Sequence, residues 1–146
     1  MKNLSIITVV CIIFLLGSGC ARNGNSEKQE EPVTIDINLT TFSRTMAHST
    51  VNDMMINPEI HLGKTVRARG IYTTMYFDPE HLYNFLIVEG PPGCCPQGLM
   101  FIWYDDHGYE YPQIGTRIEI TGTFKNYQGF DFPYNYLSIS DISIVN

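Results

Sequence analysis

Hydrophobic residues between positions 39 and 57 recur at the spacing of an α-helix. Intervals of three, four or one residue place on one stripe the side chains of Leu39, Phe42, Met46, Ala47, Val51, Met54 and Met55. Asn38 or Thr40 can cap the start, and Pro58 ends the helix because the residue before a proline avoids the α region. We predict an amphipathic helix whose methionine-rich stripe packs on the domain's own sheet or forms a partner surface. On its polar side, His48 is interpreted as a solvated side chain.

After Gly63 the hydrophobic period changes to two, which is the period of a strand with one buried face. Alternation and short apolar runs between turn residues predict five strands, at about 64–76, 82–88, 98–104, 117–124 and 136–144. Gly70 lies inside the first strand, where a bulge or a sharp coil would bend the chain. A long first strand that bends at a glycine favours a small closed barrel over a sandwich. The sequence shows no alternation of strands and helices, and this excludes a Rossmann-type fold.

The first residues of the chain have the pattern of a signal peptide. Lys2 supplies a positive charge, and residues 4–16 are apolar except for Ser5 and Thr8. This run is shorter than the ~20 residues that span a bilayer, and it suits the hydrophobic region of a secretory leader. We therefore predict a signal peptide over residues 1–19.

Cys20 follows the small residues Gly17, Ser18 and Gly19. This arrangement resembles the lipobox of bacterial lipoproteins, in which the cysteine thiol takes a diacylglycerol and becomes the first residue. Gly17 departs from the usual pattern, in which leucine is commonest at that position. Further acyl chains, such as palmitate, would make the anchor firm, because a single chain binds a membrane only marginally. The alternatives are an ordinary secretory signal cut near Gly19 or an uncleaved anchor.

Within residues 20–37, Cys20 is followed by the polar run ARNGNSEKQEEPV, which contains no aromatic residue. Such a segment cannot bury enough apolar surface to order itself, and we interpret it as a flexible tether. The tether would hold a domain over residues 38–146 away from the membrane. The lipoprotein hypothesis thus predicts a protein of the cell membrane that is lipid-anchored and faces outside the cytoplasm.

Two strand motifs in the domain resemble a known type of protein. The runs NPEIHLGKTVRARGIY and IGTRIEITGTF flank a hairpin that contains CCPQG. Together they are similar to the OB-fold-like domains of small bacterial lipoproteins, over roughly residues 57–146. The resemblance implies a fold that is mainly β, a small five-stranded OB-like barrel preceded by one amphipathic helix. Residues 105–115 are too short and too rich in Asp, Gly and Pro for the usual helix between the third and fourth barrel strands, so the helix at 39–57 is expected to plug the barrel instead.

Charge and motif content narrow the functional classes. The net charge of −6 would repel DNA or RNA unless a local basic patch intervened, and we expect no nucleic-acid partner. The chain contains no G-x-S-x-G elbow, P-loop, H-E-x-x-H or G-x-G-x-x-G motif. A non-enzymatic protein is therefore the expectation.

Cys94 and Cys95 are adjacent in the turn EGPPGCCPQG and have three interpretations. They form a strained disulfide between neighbours, bind a soft metal ion with outside ligands, or remain two free thiols at the start of a strand. Because successive side chains of an extended segment point to opposite faces, chelation of one metal by both thiols is awkward. We expect the pair to lie at the turn into the third barrel strand.

A weaker metal hypothesis concerns the opposite end of the same hairpin. If Val88 and Gly98 pair, His81 comes close to Asp105, and the neighbouring His107 can join them. Histidine and carboxylate ligands suit a hard or borderline cation, so a metal ion is a candidate cofactor here. The alternative is a set of solvated loop residues.

Aromatic residues are concentrated in the second half of the chain. Several of them follow the first and fourth barrel strands, namely Tyr76, Phe77, Tyr127, Phe130, Phe132 and Tyr134. In an OB-fold the loops at these two positions flank the face that binds oligomers by stacking. They are predicted to stack on a ligand, or alternatively to cap a small barrel whose core is short of aliphatic residues.

Two functional hypotheses follow from these features. The first is a membrane-anchored, extracytoplasmic OB-like module that binds a glycan, peptide or protein partner without catalysis. The alternative is a thiol- or metal-handling protein that uses the vicinal pair Cys94 and Cys95.

Overall fold

Six strands and one α-helix build the fold. The computed structural model describes residues 33–77, 79–103, 110–128 and 133–145. The strands are β1 (Ile37–Asn38), β2 (Thr65–Tyr76), β3 (Leu82–Val88), β4 (Gln97–Trp103), β5 (Arg117–Tyr127) and β6 (Tyr134–Ile144). The helix α1 (Arg44–Ile56) lies between two 3₁₀ turns, Leu39–Thr41 and Pro58–Ile60. No helix among the described residues is long and apolar enough to cross a membrane.

Five of the strands close into a ring in the order β2, β3, β4, β6, β5 and back to β2. The β4–β6 contact is parallel, while the other contacts within the ring are antiparallel. β1 lies outside the ring and pairs in parallel with the first half of β2. The prediction of a mainly β, barrel-like fold with one helix is confirmed.

β2 closes the ring because its two halves pair with different strands. Residues 65–71 pair with β5, and residues 71–76 pair with β3. Gly70 lies at this change of partner, where a Cβ atom would stand 2.3 Å from the carbonyl oxygen of Ile87. Only glycine allows the two backbones to approach this closely, as the position of Gly70 in the sequence suggested.

A bulge lies at the corresponding point of the β5–β6 pair. Thr121 pairs with Asp141 and Gly122 with Ile139, so Ser140 is the extra residue of β6. The carbonyl oxygen of Ser140 accepts a hydrogen bond of 3.1 Å from the indole nitrogen of Trp103 on β4. The bulge therefore presents a backbone acceptor to a largely buried side chain that has a donor to satisfy.

The core fills the ring and extends to the helix. Alternate residues of each long strand face inward, and α1 adds Ala47, Val51 and Met54 to the same cluster. The methionine-rich stripe thus packs largely on the domain's own barrel, which agrees with the first of the two interpretations. Met46 is an exception, because its side chain is 53% exposed.

The α-helix begins at Arg44, later than predicted. Ser43 is its N-cap and accepts a hydrogen bond of 3.3 Å from the backbone nitrogen of Met46. Asn38, one of the two predicted caps, instead accepts from the backbone nitrogen of Thr40 in the preceding 3₁₀ turn. Phe42 is extended between the two helical pieces, so the apolar spacing spans two elements that the pattern could not separate.

A polar cluster fixes the end of α1. Asp53 accepts a hydrogen bond of 2.7 Å from the Asn57 amide and another of 2.7 Å from Nε2 of the buried His61. These bonds, first from Asn57 and then from His61, lower the pKa of the Asp53 carboxyl. The cluster joins the helix to the turn that leads into β2.

Candidate functional site

An aromatic surface covers the outer side of the ring, away from the core. It is formed by residues of β3, β5 and β6 and by the residue that follows β2. Because inward residues of these strands include Leu86, Phe124 and Leu137, the alternating residues between them point outward. We call the following set the aromatic surface: Phe77, Tyr83, Phe85, Tyr127, Tyr134 and Tyr136.

Four rings of the aromatic surface make a continuous chain. The centroid of Phe77 lies 5.4 Å from that of Tyr83, and Tyr83 lies 6.0 Å from Tyr134. Tyr134 in turn stacks on Tyr127 at 4.9 Å with 28° between the ring planes. Phe77 and Tyr127, at the two ends, are each about half exposed. This series of four aromatic rings thus runs across the outer faces of β3 and β6, from the region after β2 to the end of β5.

The inner members of this chain are neutral tyrosines. Burial raises the pKa of Tyr134, and the neighbouring tyrosines Tyr83, Tyr127 and Tyr136 raise it further. Ionisation of Tyr134 is disfavoured because its phenolate would be partly buried beside three other phenol groups. Tyr134 therefore keeps its hydroxyl group protonated to a higher pH than an ordinary tyrosine.

The structure brings together only part of the predicted stacking set. Phe77 and Tyr127 belong to the aromatic surface, but Tyr76 pairs with Leu82 on the face opposite to Tyr83. Phe130 and Phe132 lie outside the described residues. Of the two bridging rings, Tyr134 was among the predicted loop aromatics, whereas Tyr83 was not. Strict alternation around Leu86 could have placed Tyr83 outward.

A cavity of about 310 Å³ adjoins the aromatic surface at Tyr83. Its polar lining includes Glu80, His81 and Asn84. The Asn84 side-chain oxygen accepts a hydrogen bond of 2.7 Å from the hydroxyl of Tyr72, which is buried in the core. That bond fixes the amide, so the cavity offers an oriented polar group beside a stacking ring.

One of the predicted metal residues, His81, lies at this same end of the hairpin. His81 is exposed and its ring lies 6.3 Å from that of Tyr83, whereas Asp105 and His107 lie outside the described residues. The register differs by one from the expected one, because Gly98 pairs with Ile87. Within the described part of the chain, no three His, Cys, Asp or Glu side chains are grouped to hold a metal ion.

The two cysteines lie in the turn that leads into β4, as expected. The backbone nitrogen of Cys94 donates to the carbonyl oxygen of Pro91 at 3.0 Å, and Gly93 has a φ of 80°. A positive φ at the third residue is the requirement of a type II turn, and glycine satisfies it. Both thiols are free and exposed.

His48 is the residue that sequence reasoning missed at this turn. Rather than being solvated, it is half-buried, and its Nε2 lies 2.8 Å from the carbonyl oxygen of Cys95 and 3.8 Å from the sulfur of Cys94. Because a carbonyl oxygen only accepts, Nε2 must carry the proton. His48 therefore donates to the turn and is not oriented as a base toward Cys94. Gly90 makes room for the ring, since a Cβ there would stand 2.9 Å from its Cδ2 atom.

The geometry thus yields two separate candidate sites, the aromatic surface with its adjoining cavity and the turn of Cys94 and Cys95 held by His48. No protein-family model matches the chain, and a search of curated proteins finds no relative.

Proposed function

We propose that this chain is a membrane-anchored, extracytoplasmic lipoprotein whose OB-like domain binds a glycan without catalysing a reaction. The anchor rests on the leader and Cys20 in the sequence, together with the resemblance to OB-fold-like bacterial lipoproteins. The binding function rests on one observation, the chain of four rings across the outer side of the barrel. A membrane anchor would keep that surface in the space where extracellular polymers lie.

Aromatic rings beside oriented polar groups favour a sugar ligand. The apolar face of a sugar can stack on Phe77 and Tyr127, while its hydroxyl groups can bond with the cavity residues Glu80 and Asn84. The net charge of −6 disfavours a polyanion as the stacking ligand. A peptide or protein partner would use the rings without needing the cavity.

Calorimetric titration of the purified full chain with neutral oligosaccharides tests this function. Phe77→Ala and Tyr127→Ala should each weaken binding by about tenfold, since stacking on one ring contributes on the order of 1–3 kcal/mol in comparable sites. Ile56→Ala is the control, because Ile56 is also an exposed large apolar residue and lies on α1. Its affinity should be unchanged.

The outcomes separate the ligand classes. The glycan assignment is supported if an oligosaccharide binds saturably and if Phe77→Ala and Tyr127→Ala both weaken that binding. Binding of extended peptides alone, sensitive to the same variants, would replace the glycan by a peptide. If Ile56→Ala and Phe77→Ala changed the affinity equally, the aromatic surface would not be the binding site.

The contact of His48 with the cysteine turn favours a second candidate function, thiol redox chemistry. The Nε2–H group of His48 donates to the Cys95 carbonyl oxygen at 2.8 Å and lies 3.8 Å from the Cys94 sulfur, so a small shift of the imidazole ring would let it donate to a Cys94 thiolate. Such a thiolate attacks a small disulfide oxidant such as oxidised glutathione and releases one reduced thiol. Cys95 then displaces the second, which leaves a Cys94–Cys95 disulfide and two reduced glutathione molecules.

Alkylation kinetics test this second function. Iodoacetamide should modify Cys94 faster than Cys95, and His48→Gln should slow the Cys94 reaction severalfold while leaving Cys95 unchanged. Gly90→Ala serves as a second variant, since its Cβ displaces the same imidazole ring without removing it. Identical rates at both cysteines, unaffected by either variant, would leave the turn as a structural feature.

A further inference from the structure

All four arginines beyond residue 33 lie in one region of this acidic protein. Arg67 and Arg69 alternate on the outer face of β2, and Arg117 starts the neighbouring strand β5. Arg44 is the first residue of α1. The chain as a whole has 15 acidic and 9 basic residues, so this concentration of arginine opposes its overall charge.

Three of these arginines line a cleft between α1 and the barrel. The cleft has a volume of about 190 Å³ and is lined by Arg44, Arg69 and Arg117 together with Glu89. Its apolar wall includes Ala47, which is already buried in the core. The guanidinium groups of Arg69 and Arg117 remain more than two-fifths exposed, so they can reach a molecule in the cleft.

Among the described side chains, two carboxylates pair with three of the four guanidinium groups. Glu119 contacts Arg69 at 2.7 Å and also lies 3.8 Å from Arg67. Glu89 lies 3.3 Å from Arg117. Within the described part of the chain, the Arg44 guanidinium has no acidic partner. Because Arg67 does not line the cleft, the three guanidinium groups that do line it face two carboxylates, which leaves an excess of one positive charge among the described side chains.

The position of Arg44 makes this excess costly. The amino-terminal end of a helix is positively polarised and favours acidic residues, but the first turn of α1 contains none. A guanidinium group there, beside two others, is repelled both by the helix and by its neighbours. A bound anion would reverse each of these unfavourable interactions.

We propose that this cleft, the arginine cleft, binds a phosphate group. The excess of positive charge favours an anion, and a phosphate monoester carries about −1.5 to −2 at neutral pH. Guanidinium groups bind phosphate oxygens through paired hydrogen bonds, and three of them line the cleft from α1, β2 and β5. The cleft shares none of its lining residues with the aromatic surface, so the inference is independent of the proposed glycan function.

Calorimetric titration of the full chain with inorganic phosphate, at constant ionic strength set with chloride, tests the proposal. We expect saturable binding that Arg44→Gln and Arg69→Gln each weaken by about tenfold, as for the loss of one charge-assisted hydrogen bond. Lys125→Gln is the matched control, because it removes the same charge from an exposed position elsewhere on β5. It should change the affinity less than twofold.

A second titration identifies the source of the phosphate group. Dihexanoyl phosphatidic acid offers the same monoester on a soluble lipid, and tighter binding than inorganic phosphate would indicate a lipid headgroup. Equal affinities would indicate a free phosphate or phosphorylated metabolite. The proposal is overturned if phosphate does not saturate, or if Lys125→Gln weakens binding as much as Arg44→Gln. Circular dichroism of each variant verifies that the exposed substitutions leave the fold intact.

Discussion

Replacing Gly70 by alanine tests the way in which the ring closes. The new Cβ would stand 2.3 Å from the carbonyl oxygen of Ile87 and 3.0 Å from the Cγ of Leu86. The nearest atom belongs to the backbone of a paired strand, so it cannot rotate away. β2 and β3 must separate at the residue where β2 changes its partner.

The size of the effect follows from two contributions. Forcing one extra carbon into a close-packed region costs about 1–3 kcal/mol. Weakening a neighbouring backbone hydrogen bond adds about 1 kcal/mol to this loss of stability. Alanine also lowers the conformational entropy of the unfolded chain, which offsets roughly 0.4–1 kcal/mol of the loss. We therefore expect Gly70→Ala to lower the free energy of unfolding by about 2–3 kcal/mol, a large part of the 5–15 kcal/mol typical of a domain.

Urea unfolding of the full chain, followed by tryptophan fluorescence, measures this difference. Gly98→Ala is the control, because Gly98 also lies in a strand but its Cβ would meet only side chains, at 3.4 Å or more. That variant should stay within about 1 kcal/mol of the natural protein. If the two variants lose the same free energy, the close approach at Gly70 does not determine the stability of the ring.

Three further predictions concern other parts of the molecule. Cys20→Ser should release the protein from membranes or stall its processing, and normal cleavage with membrane fractionation would contradict the lipid anchor. Because the pKa of Asp53 is lower in the folded protein, its carboxylate stabilises the fold at pH values above the unfolded-state pKa. This stabilisation is lost as the pH falls through the folded-state pKa. Asp53→Asn should therefore reduce the drop in melting temperature below about pH 4. Trp103→Phe removes the hydrogen bond to the Ser140 carbonyl and should cost about 1–3 kcal/mol in urea unfolding, whereas a loss below 0.5 kcal/mol would show that water replaces the indole.

The elements of the fold were largely readable because their patterns are local. Period-two alternation and short apolar runs together located all five ring strands, and the bounds of β3 agree with those expected. The start of α1 was misplaced since Leu39 and Phe42 keep helical spacing across a break in the backbone. β1 was missed because two residues are too few to show a period, and its pairing depends on contact with β2.

The candidate sites depended on contacts that no local pattern contains. His48 meets Cys95 across 47 positions of sequence, and only the packing of α1 against the hairpin brings them together. The arginine cleft likewise joins one residue of a helix to residues of two strands. Phe77, Tyr127 and Tyr134 were predictable because the resemblance placed them in loops beside the expected binding face, whereas the contact of Tyr83 with Tyr134 depends on how the strands pack.

β1 has a consequence for how copies of this protein behave beside one another. Since β3 pairs only with the second half of β2, the first half presents a strand edge that a neighbouring molecule could extend into a shared sheet. β1 occupies Val66 and Arg67 there, and Asp36 both donates to the carbonyl oxygen of Thr65 and accepts from its nitrogen. The two-residue strand β1 and the carboxylate of Asp36 thus protect this edge against intermolecular pairing. Removing them would convert a self-contained ring into a template for aggregation.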